Sequence, residues 1–284
     1  MIVDFHTHIF PPWLRDLRDR YLDRDRTFGE LYRDPRAKMA DVDDLLAVMD
    51  EDGVDVAVVM GMGWTDPGLA RHVNDYLIDC VREHHKRLVG FAGVNPAWGA
   101  AAASEAARCA AAGLRGVGEL HPDTQGYDIG DAEVMAPLME AVQQHTLILT
   151  THSSEPVGHL YPGKGSVRPE SLWKLALNYP DAVIVMAHWG GGLPFYALMP
   201  EVKESLRNVY FDTAASPFLY TRDVFTVATS LVGAERILLG SDYGLMRPRR
   251  LLKQARESGL CDAELAAVLG SNAARLLGLT CEDA

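Results

Sequence analysis

A chain of 284 residues that is 48% hydrophobic and 23% charged can bury a large core, and it carries no apolar stretch long enough to span a bilayer. A formal net charge of −12 argues against contact along phosphate backbones, which needs clustered Lys and Arg. A small-molecule substrate is therefore expected, with no nucleic acid and no membrane as partner. Cys80, Cys109, Cys261 and Cys281 are scattered without a C-x-x-C pair, so neither a disulfide frame nor a thiolate metal site is expected.

The opening segment, Ile2 to His8, alternates in character as a strand does. Successive strand side chains point to opposite faces, so His6 and His8 project the same way and can grip one ion. Asp4 shares their parity one layer lower, where it could accept a proton from a ligand imidazole or sit in a polar core layer. No basic, apolar and small-residue leader precedes this strand, so a cytoplasmic location is the default expectation. The mixed-sign run from Arg15 to Arg26 reads as a solvated helix or excursion. Asp41 then caps a helix through Met49 that stops at Gly53, and the alanine-rich stretch Ala97 to Ala112 reads as an outer helix ended by Gly113.

Further strands are expected at Val54 to Met60, Leu88 to Val94, Leu114 to Glu119, Thr146 to His152, Ala182 to His188, Asn208 to Asp212 and Arg236 to Asp242. Eight strands alternating with amphipathic helices predict an α/β fold, a single-domain (β/α)8 TIM barrel over residues 1–284 with Ser271 to Leu279 as its closing helix. Four of these runs close on Glu119, His152, His188 and Asp242, and the first carries two histidines. Any one of them alone reads as a polar strand cap, but five in order are the nitrogen and oxygen donors of a catalytic metal site at the carboxyl end of a barrel. The Gly-, Pro- and polar-rich segment Ser153 to Gly165 is placed to select substrate. Lys164 or Arg168 could clamp a substrate carboxylate there, and His159 or Tyr161 could donate to a carbonyl. Trp64, His121 and Trp189, each just beyond a strand, are placed to line the pocket.

Asp4-Phe5-His6-Thr7-His8, Thr151-His152, Ala187-His188-Trp189-Gly190-Gly191, Gly240-Ser241-Asp242-Tyr243 and the closing Asn272 to Leu277 together resemble the amidohydrolase superfamily of metal-dependent barrels, in its amidohydrolase-related branch. The resemblance covers nearly the whole chain. It implies that His6, His8, His152 and Asp242 ligate one divalent ion, that His188 ligates a second ion or acts directly on substrate, and that Asp242 shuttles protons. Imidazoles with carboxylates suit zinc first, while manganese or iron would tolerate the same donors; the resemblance also implies a homodimer as the form of assembly.

Glu119 departs from the decarboxylating members of that branch, which do not use a fourth-strand carboxylate as ligand. Gly118-Glu119-Leu120 resembles the corresponding strand of TatD-type hydrolases, where the carboxylate bridges two ions; its alternative role is to hydrogen-bond a ligand histidine. The first expectation is therefore hydrolysis of a small amide, ester or lactone by metal-activated water. The second is non-oxidative decarboxylation of an aromatic or dienoic acid, and the third a barrel that binds metal and metabolite without turnover.

Overall fold

The computed structural model describes residues 1–279, so Cys281 lies outside the described residues. All eight expected strands form, each a little shorter than its apolar run: β1 Val3–Thr7, β2 Val56–Met60, β3 Leu88–Ala92, β4 Gly116–Leu120, β5 Ile148–Thr151, β6 Ile184–Met186, β7 Val209–Asp212 and β8 Ile237–Leu238. They pair in chain order and every pair is parallel. The ring closes through backbone hydrogen bonds from Phe5 N to Leu239 O at 2.7 Å and from Asp242 N to His6 O at 2.8 Å, with a parallel bridge between Thr7 and Tyr243. This is the (β/α)8 barrel, a single domain.

The barrel is filled rather than hollow. Val3, Val56, Phe91, Ile148, Val185, Tyr210 and Leu238, one residue from each of seven strands, pack together with Ala273 and Leu277 of the final helix. The eighth strand contributes space instead of bulk: a Cβ on Gly116 would stand 2.6 Å from the Phe91 ring. Alternate residues face outward, where Ala57 and Val59 meet Leu45, Val48 and Met49, and Val117 and Leu149 meet Leu138 and Val142.

Local signals account for the helices. Residues Val42–Asp52 carry a reciprocal capping box between Asp41 and Asp44 and end on left-handed Gly53 at φ 73°. The alanine-rich region breaks at Gly99, leaving a short turn Pro96–Trp98 before the helix Ala100–Ala111. The mixed-sign run folds as an excursion of three short helices, Pro12–Asp16, Arg18–Tyr21 and Arg26–Tyr32. Among the described residues, no helix is long and apolar enough to cross a membrane.

Two strands depart from regular alternation, and both departures serve the same end of the barrel. The β1–β2 register shifts between Asp4 and Thr7, and the β4–β5 register shifts between Val117 and Leu120. Such an irregularity re-aims the side chains beyond it. Val3 and Phe5 therefore join the barrel filling while His6 and His8 converge above it, and Glu119 turns inward although Val117 and Leu120 both face the outer helices.

Candidate metal centre

Every strand end that supplies a ligand-type residue delivers it to one buried cluster. His6 and Glu119 lie within β1 and β4, His152 directly follows β5, and His188 and Asp242 sit on the turns beyond β6 and β8. Those two turns are unusual in backbone. His188, Trp189, Gly190 and Gly191 have φ of 54°, 58°, 57° and 58°, and Asp242 has φ 65°. The left-handed region is costly for residues bearing a Cβ and concentrates at functional sites. Here the glycines after His188 allow the chain to keep turning, and the His188 N–H donates to Asp212 Oδ1 at 3.0 Å, which holds the turn in place.

The donors form two groups that share Glu119. In the first, His6 Nε2 and His8 Nε2 are 3.1 Å apart, and Glu119 Oε2 lies 3.4 and 3.5 Å from them. Asp242 Oδ1 is 3.9 and 3.7 Å from the same two nitrogens. In the second, Glu119 Oε1 lies 3.0 Å from His152 Nδ1 and 3.3 Å from His188 Nε2. His121 joins through Nε2, 3.1 Å from Glu119 Oε2, and stacks on the His152 ring with centroids 4.8 Å apart.

The tautomers show what this arrangement is for. His6 Nδ1 donates to Asp212 Oδ2 at 2.8 Å, His8 Nδ1 to the Met60 carbonyl at 3.3 Å, and His188 Nδ1 to the Ala214 carbonyl at 3.1 Å. Pinning the Nδ1 proton outward leaves each neutral ring with its Nε2 lone pair directed inward. Three lone pairs and two carboxylates aimed at one space repel each other unless a cation joins them. An ion held at about 2.0–2.2 Å by nitrogen and oxygen sets neighbouring donors about 3.0–3.6 Å apart, and the spacings among His6, His8 and Glu119 fall in that range. The residues present therefore fit a divalent ion.

Among the side chains themselves, protons compete for the same positions. Burial works against charge on His6, but Asp212 and Glu119 outweigh it and push its pKa well above the ordinary value. Burial likewise opposes charge on His188, yet Glu119 and Asp242 raise it to about 9. At His152 burial dominates and lowers the pKa to about 4, against the pull of Glu119. Burial would keep Glu119 protonated, but His121 and His6 hold it well below the carboxylate range.

The structure does not gather all the expected residues. Lys164 Nζ is taken by the carbonyls of Val157 and His159 at 2.7 and 3.0 Å, so its charge stays inside its own loop, and Arg168 is exposed. His159 is exposed beside Tyr161. Tyr161 is half-buried beside Glu155, its hydroxyl 3.5 Å from Glu155 Oε2, and burial and then Glu155 oppose its ionisation. Trp64 is buried between Phe10 and Phe28, and Trp189 is packing, donating to Ser216 Oγ at 2.9 Å. Asp4 serves β8 instead of a ligand imidazole, accepting from Ser241 N at 2.8 Å and Ser241 Oγ at 2.6 Å. The β1 register shift breaks the parity that would have joined it to His6.

Asp212, which orients both His6 and the His188 turn, was readable as another carboxylate closing a strand. Tyr32, at the end of the charged excursion, packs against Phe10 and Phe28, and burial raises its pKa, with Asp242 and Glu119 adding to it. No local pattern in the sequence announces it.

A family model described as amidohydrolase matches residues 3–279. The chain is 22% identical over 336 aligned positions to 2-amino-3-carboxymuconate-6-semialdehyde decarboxylase of Dictyostelium discoideum, covering 98% of this chain and 91% of that protein. Its fold matches 5-carboxyvanillate decarboxylase from Sphingomonas paucimobilis with a TM-score of 0.80 at 20% identity, over 98% of this chain and 99% of the other. Dihydroxybenzoic acid decarboxylase from a Polaromonas species, solved with bound manganese and 2-nitroresorcinol, matches with a TM-score of 0.73 at 19% identity, over 99% and 98% of the two chains. These findings correct the expectation of hydrolysis, since these relatives are decarboxylases. The physical reason is that both reactions draw on one donor set: each needs a cation to hold an oxygen and a side chain to manage a proton. Zinc is not singled out either, because a relative holds manganese.

Proposed function

This chain belongs to the amidohydrolase family, and on that premise we propose that it is a metal-dependent non-oxidative decarboxylase of a small aromatic or dienoic carboxylic acid. The carboxymuconate, carboxyvanillate and dihydroxybenzoate decarboxylases among its relatives support that substrate class. The observation that carries the reading is the pairing of an ion position with a separately oriented imidazole. His6, His8, Glu119 and Asp242 surround the first, while His188 presents Nε2 beside it with Nδ1 fixed on Ala214.

His6, His8, Glu119 and Asp242 would hold the ion, with Asp212 fixing the His6 ring. When bound, a divalent ion supplies a positive charge that anchors the substrate's oxygens and draws electron density toward them. The carbon–carbon bond to the carboxylate breaks with its electron pair left on the ring or diene carbon, and carbon dioxide departs. His188 Nε2 then delivers a proton to that carbon and is reprotonated from water, so that a carboxylate and a proton become a hydrocarbon position and carbon dioxide. Without an ion, Glu119 and then Asp242 raise the affinity of this imidazole for its proton. The imidazole-rich set favours zinc, and manganese is the alternative.

Glu119 offers one oxygen to each donor group, so a second ion between His152 and His188 is the competing arrangement, since it would occupy the His188 Nε2 that the proton transfer needs. Elemental analysis of wild type and Glu119→Ala decides it: two ions falling to one or none support a shared carboxylate, whereas one ion in both proteins makes Glu119 a hydrogen-bond partner of the ligand histidines. The function itself is tested by carbon dioxide release from hydroxybenzoates and carboxylated muconic semialdehydes by metal-loaded protein. Release from none of them, at full metal content, removes the reading.

A further inference from the structure

Glu155 lies three residues beyond His152, in the loop that follows β5, and one of its carboxylate oxygens is unusual. Oε1 is buried and has no hydrogen-bond partner among the described residues. Oε2 receives a long contact from the Tyr161 hydroxyl at 3.5 Å, and the Tyr220 hydroxyl stands close enough to share a hydrogen bond with the carboxylate. A shielded carboxylate oxygen without a donor loses its solvation and regains nothing. Such an oxygen is stable only if a donor from outside the protein reaches it.

Its neighbourhood fixes where that donor would come from. Burial and then Glu155 oppose the ionisation of Tyr161, and the centre's own Asp242 and Glu119 add to this, so Tyr161 lies within electrostatic reach of both Glu155 and the centre. Ser154, the adjacent residue, bonds His152 Nε2 through Oγ at 3.3 Å. The loop beyond β6 closes the opposite side: a Cβ on Gly191 would lie 2.5 Å from the Ser154 carbonyl oxygen, and one on Gly192 would lie 3.5 Å from the Tyr220 hydroxyl. Tyr220, from beyond β7, has its ionisation opposed by burial and then by Glu155. Three loops at the carboxyl end of the barrel thus place one underused carboxylate beside the reacting space.

We infer that Glu155 is a specificity-determining residue that accepts a hydrogen bond from a hydroxyl or amino group on the substrate, away from the carboxylate that is lost, with Tyr161 and Tyr220 framing the contact. The inference rests on the decarboxylase reading for its substrate class. A carboxylate in this place selects donor-bearing acids, because an acid without the donor leaves Oε1 buried and unpaired.

The test compares 2,4-dihydroxybenzoate with 2-hydroxybenzoate, which lacks the hydroxyl remote from the carboxylate, on metal-loaded wild type and Glu155→Gln. Binding is followed by calorimetry and turnover by carbon dioxide release. Wild type should prefer the dihydroxy acid by about 10- to 100-fold, the size of one hydrogen bond to a charged group. Glu155→Gln should erase most of that preference through binding, with metal content unchanged. Glu155→Asp, which keeps the charge but withdraws the oxygen, should lie between them and covers the case in which the Gln variant folds poorly. Equal binding of the two acids by wild type, binding of neither, or an undiminished preference in both variants overturns the inference. Preferential binding without carbon dioxide release would leave Glu155 in this role and count against decarboxylation alone.

Discussion

At the scale of single residues, the proposed decarboxylation depends on His188 more than on any other side chain. Its left-handed backbone and its Nδ1 contact with Ala214 leave Nε2 one orientation, toward Glu119 and the ion position. His188→Asn should therefore lower kcat by about 10²–10⁴-fold, the usual loss when a positioned acid is removed, while the ion bound by His6 and His8 stays in place. A measured loss of all metal in that variant would make His188 a structural ligand instead. The residues of the centre were legible because each closes an apolar run. Asp212 obeys the same rule and could have been read from it. The placement of Glu155 and Tyr32 could not, since each lies on a loop or an excursion whose path no periodicity encodes, and Lys164 was misjudged because its carbonyl partners belong to its own loop.

At the scale of elements, strand existence was legible and strand regularity was not. The shifts in β1 and β4 place His6, His8 and Glu119 correctly and put Asp4 to other use, although simple alternation groups Asp4 with the histidines. The end of β3 is held by a neighbour rather than by its own sequence. Buried Asn74, on helix Pro67–Glu83, receives Gly93 N–H on Oδ1 at 2.8 Å and donates through Nδ2 to Gly93 O at 3.1 Å and Glu105 Oε1 at 2.9 Å. Asn74→Ala leaves both Gly93 groups unpaired and should cost about 2–6 kcal/mol in denaturant unfolding, at about 1–3 kcal/mol per buried group. Burial opposes charge on Glu105, but Arg108 and Asn74 outweigh it and hold its pKa below the carboxylate range. A lowered pKa contributes stability above the unfolded-state value and loses it as pH falls through the folded one. Arg108→Ala should therefore destabilise the protein near neutral pH and much less in acid; an equal loss at both would show that the pair is not coupled to ionisation.

At the scale of the molecule, the centre ties together ends of chain that are far apart in sequence. His6 and Asp242 meet across the seam where β1 joins the segment after β8, and the Phe91 layer lies beneath them. An ion that binds only the folded barrel adds stability by mass action. Chelation should lower the melting temperature by several degrees, with full recovery on adding back zinc or manganese; an unchanged melting curve would mean that the donors do not bind the ion tightly. Phe91→Ala should cost about 3–5 kcal/mol through the cavity it leaves under the site. The barrel itself was legible from eight apolar runs and their helices. The reaction was not, because Glu119 alone was taken to separate hydrolysis from decarboxylation, and the other donors serve either reaction.

The central claim is tested most directly by one reaction in D2O, with metal-loaded wild type, a hydroxybenzoate labelled with ¹³C in its carboxylate, and mass spectrometry of gas and product together. The account predicts labelled carbon dioxide in equal amount to a product carrying one deuterium at the vacated carbon, with both signals abolished by chelation. Labelled substrate recovered intact across the panel of hydroxybenzoates and carboxylated muconic semialdehydes, with the metal content verified, would contradict it.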